Sequence, residues 1–418
     1  DSKQYKAYIE RANFVNFTGS TEEGMLGMVF RKPIHAKLPN TVEYLINNTD
    51  GGGMSLDQKA RELIVDELET GRAGLLVDFP RSRAGLSKAQ AQALNLQARI
   101  VLYKAEDILD WRVGTENNES ILEMVKLCET YEEVSDDGLT SETKKCTRII
   151  MLKDGRCVHD VYDESDNPIT EESGVEIRRH DGSYWDKIPF VFCGAMFNDE
   201  TPDKAPLTDF VDLNIAHFRN SADYEESLHL VSQPMVWMSG ITQQHYETVL
   251  GGEPIVIGSR NMLMVPEGGS AGVIQIAANG MAIEAMNKKE EQMIKIGARL
   301  IEDKGGNETA EAARIRFAGQ NSKLGTLVGN VQDALIQAIR FAMDFMGGDG
   351  EIELEINRDF YDKSIDPQTI TAAIMLQDRG TIAKSDVRGL LREGGVIKHD
   401  RTDEDIDGEA EASVMDTL

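Results

Sequence analysis

Residues 206–240 read PLTDFVDLNIAHFRNSADYEESLHLVSQPMVWMSG. Over 206–231 the positions Leu207, Val211, Ile215, Phe218, Ala222, Glu225 and His229 recur with the 3.6-residue period of a helix, and the apolar part lies at the N-terminal end. The helix then gives way to large apolar residues. From 234 to 276 the segments PMVWMSG, EPIVIGS, NMLMVPEGG and GVIQI are short strands punctuated by glycine, which predicts a small β-rich insertion. A second long helix over about 280–303 brings the chain back, and after a break at 304–308 a third is expected to run to 346. The third carries the stripe Leu324, Leu327, Val328, Val331, Leu335, Ala338, Ile339, Ala342 and Met346. Gly319, Gly325 and Gly329 each cost about 1 kcal/mol against alanine there, which predicts a kink. Three such helices form a stalk that cannot bury its own stripes, so the expectation is packing against copies of the same chain.

Upstream, 56–70 is a well-signposted helix. Ser55 and Gln58 form a capping-box pair, Leu56, Ala60, Leu63, Ile64 and Leu68 share a face, and Gly71 stops it. GLLVDFP at 74–80 follows as a buried strand, giving an α/β unit. Between about 99 and 195 the segments ARIVLYKAEDILDWRV, ILEMVKLCETYEEV, TRIIMLKDGRCVHDVYD and VEIRRHDGSYWDKIPFVFCG predict an antiparallel meander with hairpin dipeptides at Asp154-Gly155 and Asp181-Gly182. Downstream, EIELEINRDF at 351–360 alternates as a strand that pairs back onto an earlier sheet. Two short helices follow, one capped by Asp366 with Pro367 at its first position, the other over 385–393 and stopped by Gly394-Gly395. The final HDRTDEDIDGEAEASVMDTL reads as a mobile acidic tail.

Composition narrows the function. A chain of 418 residues, 41% hydrophobic, supports two or three structural units. The net charge of −28, from 44 basic and 72 acidic side chains, argues against binding nucleic acid by phosphate neutralisation, though not against a surface past which DNA moves without sticking. Cys128, Cys146, Cys157 and Cys193 form no CxxC pair, so neither zinc nor a disulfide framework is expected; they read as small buried hydrophobes in a reducing compartment. No run of 18 apolar residues is present and the first residues are amphipathic, so a soluble protein without a membrane partner is expected. The chain begins at Asp1, and native N-terminal sequence is expected to precede it.

Motifs of catalysis are not found. In NTDGGGMSL, Leu56 stands where a dinucleotide fingerprint needs its third glycine, and GRAGLLVDFPRSRAG lacks the Gly-Lys-Ser/Thr ending of a phosphate loop. His217 and His229 lie twelve apart on the first long helix, too far round its axis to share a metal. No enzyme activity, metal or cofactor is expected.

The segments YIERANFVNFTGSTEEGMLGMVFRKP, DGGGMSL, GRAGLLVDFP, KIPFVFCG, PLTDFVDLNIAHFRNSADYEESLHLVSQPMVWMSG and TAEAARIRFAGQNSKLGTLVGNVQDAL, in this order and spacing, resemble a family of tailed-phage portal-like proteins. The resemblance runs from about residue 5 to 360. It implies an α+β portal fold with an α/β wing, a long-helix stem, a small β-rich clip, a kinked tunnel helix and a short helical crown. In this numbering it implies a wing at 1–203 with 347–362, stem helices at 204–232 and 277–303, and a clip at 233–276. A tunnel loop at 304–309, a tunnel helix at 310–346 and a crown with acidic tail at 363–418 complete it. Also implied are a ring of twelve subunits at one capsid vertex, partners in the terminase, a head–tail adaptor and the major capsid protein, and double-stranded DNA passing through without sequence specificity. The place of such a protein is the virion, after assembly in the bacterial host cytoplasm. A homo-oligomeric virion or scaffold protein without a DNA channel is the alternative.

Three groups of residues follow as candidates. On the helix over 280–303, Ile283, Met286, Met293, Gly297 and Ile301 are expected to face neighbouring helices. Glu284, Lys288, Glu291, Lys295, Arg299 and Glu302 form a polar face, with Glu284–Lys288 and Glu291–Lys295 as i,i+4 pairs. That face is either simply solvated, or Lys288, Lys295 and Arg299 form weak basic rings in an acidic lumen. In the β-rich insertion, Met235, Trp237, Met238, Met262, Leu263 and Met264 form an interaction surface, the alternative being packing within one subunit. In DKGGNETAE, 303–311, the Gly305-Gly306 pair frees the backbone, and Lys304, Asn307 and Glu308 are expected to meet passing DNA unless the segment is a plain interhelical turn.

Overall fold

The structure is a computed structural model that describes residues 2–79, 97–116, 118–135, 138–169, 174–179, 181–232, 235–248, 265, 267–274, 280–301, 323–358, 360, 367–393, 396–397 and 401–408. Its helices are α1 (Ser2–Arg11), α2 (Phe17–Val29), α3 (Leu56–Thr70), α4 (Thr208–Val231), α5 (Gln243–Thr248), α6 (Met281–Ile301), α7 (Lys323–Met346), α8 (Pro367–Asp378) and α9 (Lys384–Glu393). Its strands are β1 (His35–Lys37), β2 (Arg72–Asp78), β3 (Arg99–Lys104), β4 (Ile108–Glu116), β5 (Glu119–Val134), β6 (Ser141–Lys153), β7 (Arg156–Asp163), β8 (Val175–Glu176), β9 (Phe190–Gly194), β10 (Met235–Ser239), β11 (Ser270–Ile274) and β12 (Glu353–Glu355). The fold is mixed α and β. The chain divides into one unit of residues 1–26 and 35–355 and a second of 27–34 and 356–418.

The core of the larger unit is a three-stranded antiparallel sheet, β3-β2-β9, with α3 and α7 packed on it. Helix α3 starts on the expected capping box: Gln58 N donates to Ser55 Oγ at 3.2 Å, and Ser55 N donates to Gln58 Oε1 at 2.9 Å. It ends at Gly71, whose φ of 76° is open to glycine and whose absent Cβ would sit 2.7 Å from the Asp203 carbonyl oxygen. The stripe of α7, Leu324 through Ala342 with Ala334 and Phe345, is buried almost completely within this chain. That corrects the expectation that the third helix needs copies of itself. Its apolar side chains find β2, β3, β9 and α3, and Phe345 stacks on Trp185 at 4.2 Å and on Phe79 at 5.7 Å. Gly325 and Gly329 fall inside α7; Gly319 and the rest of the expected helix N-terminal to Lys323 lie outside the described residues.

The meander is a second sheet, β4-β5-β6-β7-β8, antiparallel throughout. Asp154 (φ 52°) and Gly155 (φ 72°) make the β6–β7 turn, as the dipeptide predicts. The segment 99–113 is two strands, not one, because the turn at Ala105–Asp107 sends β3 to the core sheet and β4 to the meander. β9 likewise leaves the meander to pair with β2. Strand β12 pairs with β1, with Ala36 opposite Leu354, and so joins chain segments far apart in sequence.

In the smaller unit, α8 and α9 pack together, and Asn357 Nδ2 donates to the Met28 carbonyl at 3.0 Å. The acidic tail is not wholly mobile: 403–408 is helical, with Arg388 paired to Asp403 and Asp407 and Arg392 paired to Asp403. Asp366, Gly394, Gly395 and residues 409–418 lie outside the described residues.

Candidate stem, tip and channel surfaces

Helices α4 and α6 run antiparallel. His217 of α4 meets Glu290 of α6 at 3.1 Å, and one end of the pair is closed where Gly297 approaches Phe210, a Cβ there lying 3.6 Å from the Phe210 ring. The pair continues into β10 and β11, which are antiparallel with Met235 opposite Ile274 and Ser239 opposite Ser270. From Phe210 to Val231 the helix rises about 32 Å, so the two strands are carried well away from the core sheet.

The buried face of α4 follows its apolar periodicity only in part: Leu207 and Ala222 of the expected stripe are buried, but Val211 and Ile215 are not. Phe210, Asn214, His217, Ser221 and Ala222 are buried, whereas Val211 and Ile215 are 37% and 41% exposed. The reason is the N-terminal segment, which lies along α4 and is held by side chains. Thr18 N and Oγ1 donate to Asn214 Oδ1 at 3.1 and 3.0 Å, and Asn214 Nδ2 donates to the Val15 carbonyl at 2.9 Å. Ser221 Oγ donates to the Asn13 carbonyl at 2.8 Å and accepts from Asn13 N at 3.1 Å. Tyr8 Oη donates to Asp223 at 2.7 Å, which pushes the phenol up to about 12, and Arg11 pairs with Glu226. Phe14 and Phe17 set their rings edge-on to Phe218 and His217 at 5.6 and 5.3 Å. Residues 12–16 are not helical, so their backbone groups need partners, and a polar stripe on α4 supplies them. The spacing Asn214, His217, Ser221 is itself helical, a signal available in the sequence but masked by the apolar residues beside it.

On α6, Met293 and Gly297 are buried as expected, while Ile283 is exposed and Met286 half-buried. Ile294, one residue round from Met293, is 72% exposed. Lys288 and Lys295 are exposed, with Glu284 and Glu291. The expected Glu284–Lys288 and Glu291–Lys295 pairs are not closed among the described residues, where solvated side chains gain little by ordering. Arg299 lies within α6; its side chain and that of Ile301 lie outside the described residues, as do Glu302, Lys304, Gly305, Gly306, Asn307 and Glu308.

At the tip, Met235 is 66% and Trp237 40% exposed, and Met238 is half-buried. Trp237 crosses to the partner strand over Gly272, where a Cβ would come within 2.9 Å of its Nε1. Val273 and Ile274 are also exposed. Met262, Leu263 and Met264 lie outside the described residues. No group of three potential metal ligands occurs among the described residues, and no described helix is long and apolar enough to cross a membrane.

Residues 206–346, which contain the helix pair, its tip and α7, match a family model described as a domain of unknown function, DUF4055. No curated protein matches the sequence. Among solved structures, a chain of the virion of a native gene transfer agent particle is similar with a TM-score of 0.44 at 13% identity, over 89% of this chain and 88% of that one. Chains of the neck of the empty particle, computed with C6 symmetry, and of the native particle, computed with C12 symmetry, give TM-scores of 0.44 and 0.41 at 14% identity over the same shares.

Proposed function

We propose that this chain is the subunit of a portal, a ring at one vertex of a bacteriophage capsid through which viral DNA is packaged and ejected. The observation that carries the reading is the antiparallel α4–α6 pair, which bears a two-stranded tip and leads on through the chain to α7 on the core sheet. Exposed apolar side chains on both helices, Val211 and Ile215 on α4 and Ile283 and Ile294 on α6, leave faces that a lone subunit does not cover. The sequence resemblance supports the same reading.

In this reading 1–203 with 347–362 is the wing, 204–232 and 277–303 the stem, 233–276 the clip, 304–309 the tunnel loop, 310–346 the tunnel helix and 363–418 the crown. Lys288, Lys295 and Arg299 give weak basic rings, and Lys304, Gly305, Gly306, Asn307 and Glu308 meet the DNA. The clip residues Met235, Trp237, Met238, Met262, Leu263 and Met264 form the docking surface, for the next subunit and for terminase or adaptor. The net charge of −28 suits a conduit that must not grip phosphates. Nothing in this role calls for catalysis, and its place is the virion.

End-on electron-microscopy averages of the purified protein test it. A closed ring of about twelve copies with an axial hole is expected. A filament, trimer or dimer would instead support a homo-oligomeric virion structural protein without a channel.

A further inference from the structure

In the smaller unit the chain turns back after α9 and lays the acidic helix of residues 403–408 on two arginines of α9. We propose that Arg388 and Arg392 form a phosphate-binding face for double-stranded DNA, and that this acidic segment is an autoinhibitory clasp that covers it.

Lys384, Arg388 and Arg392 follow one another at four-residue spacing on α9 and so share a face. The Arg388 guanidinium is bonded to both oxygens of Asp407, Nη1 donating to Oδ2 at 3.0 Å, and Nη1 also donates to the Asp403 carbonyl at 3.3 Å. Arg392 donates to the Asp403 carboxylate and, at 2.9 Å, to the Arg401 carbonyl. Under this cover the two arginine side chains are 14% and 20% exposed. The covering helix is fixed by its own cap: Thr402 N and Oγ1 donate to Asp405 Oδ2 at 3.2 and 2.7 Å, and Asp405 N donates to Thr402 Oγ1 at 3.2 Å. Asp403 and Asp407 then stand one turn apart, in step with the arginines they meet.

The sequence carries the same complementarity. In a chain of net charge −28, residues 379–401 hold six Lys and Arg against three acidic residues, whereas 402–418 hold seven acidic residues and no Lys or Arg. The clasp is built to be displaced. Ile406 is the one large apolar residue in 402–408, and the carboxylates lie at the surface, where salt screens the ion pairs. Asp403 is shared between two guanidiniums, and the buried Nε of Arg392 has no acceptor among the described residues. A guanidinium fork takes phosphate as well as carboxylate, and duplex DNA adds a release of counterions that a short acidic segment lacks. That the displacing polyanion is DNA rests on the portal reading, which brings duplex DNA to every subunit. A covered face leaves dilute DNA ungripped and opens where DNA is concentrated.

Fluorescence anisotropy of a labelled duplex of about 30 base pairs, titrated with the full chain at about 50 mM salt, tests the face. Asp403→Asn with Asp407→Asn should bind the duplex at least about tenfold more tightly than the unaltered chain, and adding Arg388→Gln with Arg392→Gln should remove that gain. A second readout does not depend on the arginine variants folding: with duplex bound to the aspartate variant, amide exchange over 384–393 should slow. No gain in the aspartate variant, a gain that survives loss of both arginines, or unchanged exchange in α9 would overturn the proposal. Polyglutamate binding the aspartate variant as tightly as the duplex would also overturn it, assigning the face to an acidic protein segment. A failed gain leaves the ring in end-on averages untouched, and a missing ring leaves the gain measurable, so this proposal and the portal reading fail separately.

Discussion

Glu67 lies on α3, fully buried against the core sheet, and burial pushes its carboxyl up to about 8, with Asp203 and Asp66 adding like charge and the Cys193 thiol opposing. Its neighbour Asp66 is raised to about 6, again mainly by burial. Both groups hold their protons more tightly folded than unfolded, so their contribution to stability is complete below the ordinary carboxyl range and is lost as pH rises through the folded values. For Glu67 the displacement from 4.5 to about 8 corresponds to roughly 5 kcal/mol as an upper bound. Urea unfolding midpoints should therefore fall between about pH 5 and pH 8.5, and Glu67→Gln should flatten most of that fall. An unchanged slope in Glu67→Gln would show that Glu67 is not its source. At Gly71 a side chain meets both a positive φ and the Asp203 carbonyl, so Gly71→Ala is expected to cost about 1–3 kcal/mol, read by the same unfolding curves.

Helix α4 shows how an element is oriented by what lies on it. Asn214 satisfies three groups of the N-terminal segment and is 1% exposed, so Asn214→Ala should destabilise the chain by about 1–3 kcal/mol in chemical denaturation of the monomer. Val211, on the exposed side, should tolerate alanine within about 0.5 kcal/mol in the same measurement. A reversed order would mean that the N-terminal segment does not hold α4. At the tip, Trp237 lies across Gly272 with 40% of its surface still open, which makes it a contact to offer rather than a core to fill. Trp237→Asp should leave monomer stability nearly unchanged and reduce the assembled fraction in native mass spectrometry; intact assembly would remove the tip from the subunit interface.

For the whole molecule, the proposed contact of residues 304–308 with passing DNA has its own test. Replacing Gly305 and Gly306 with alanine and Lys304 with alanine should lower DNA packaging or retention in assembled particles while leaving ring formation intact, and unchanged packaging would end the loop's proposed role. The sequence by itself determined the local elements of this protein: the capping box and glycine stop of α3, the buried strand β2, the Asp154-Gly155 hairpin, the long helices α4 and α6. These depend on neighbours a few residues apart, on capping hydrogen bonds and on periodicity, which are written in adjacent letters. What only the tertiary structure decided is which faces meet. The stripe of α7 is satisfied by β2, β3, β9 and α3 of its own chain, and the polar side of α4 is buried because residues 8–18, some two hundred positions away, bring unpaired backbone and hydroxyl groups to it. A helix carries its periodicity wherever it goes, but burial is a property of the partner, and a partner far along the chain leaves no mark on the period.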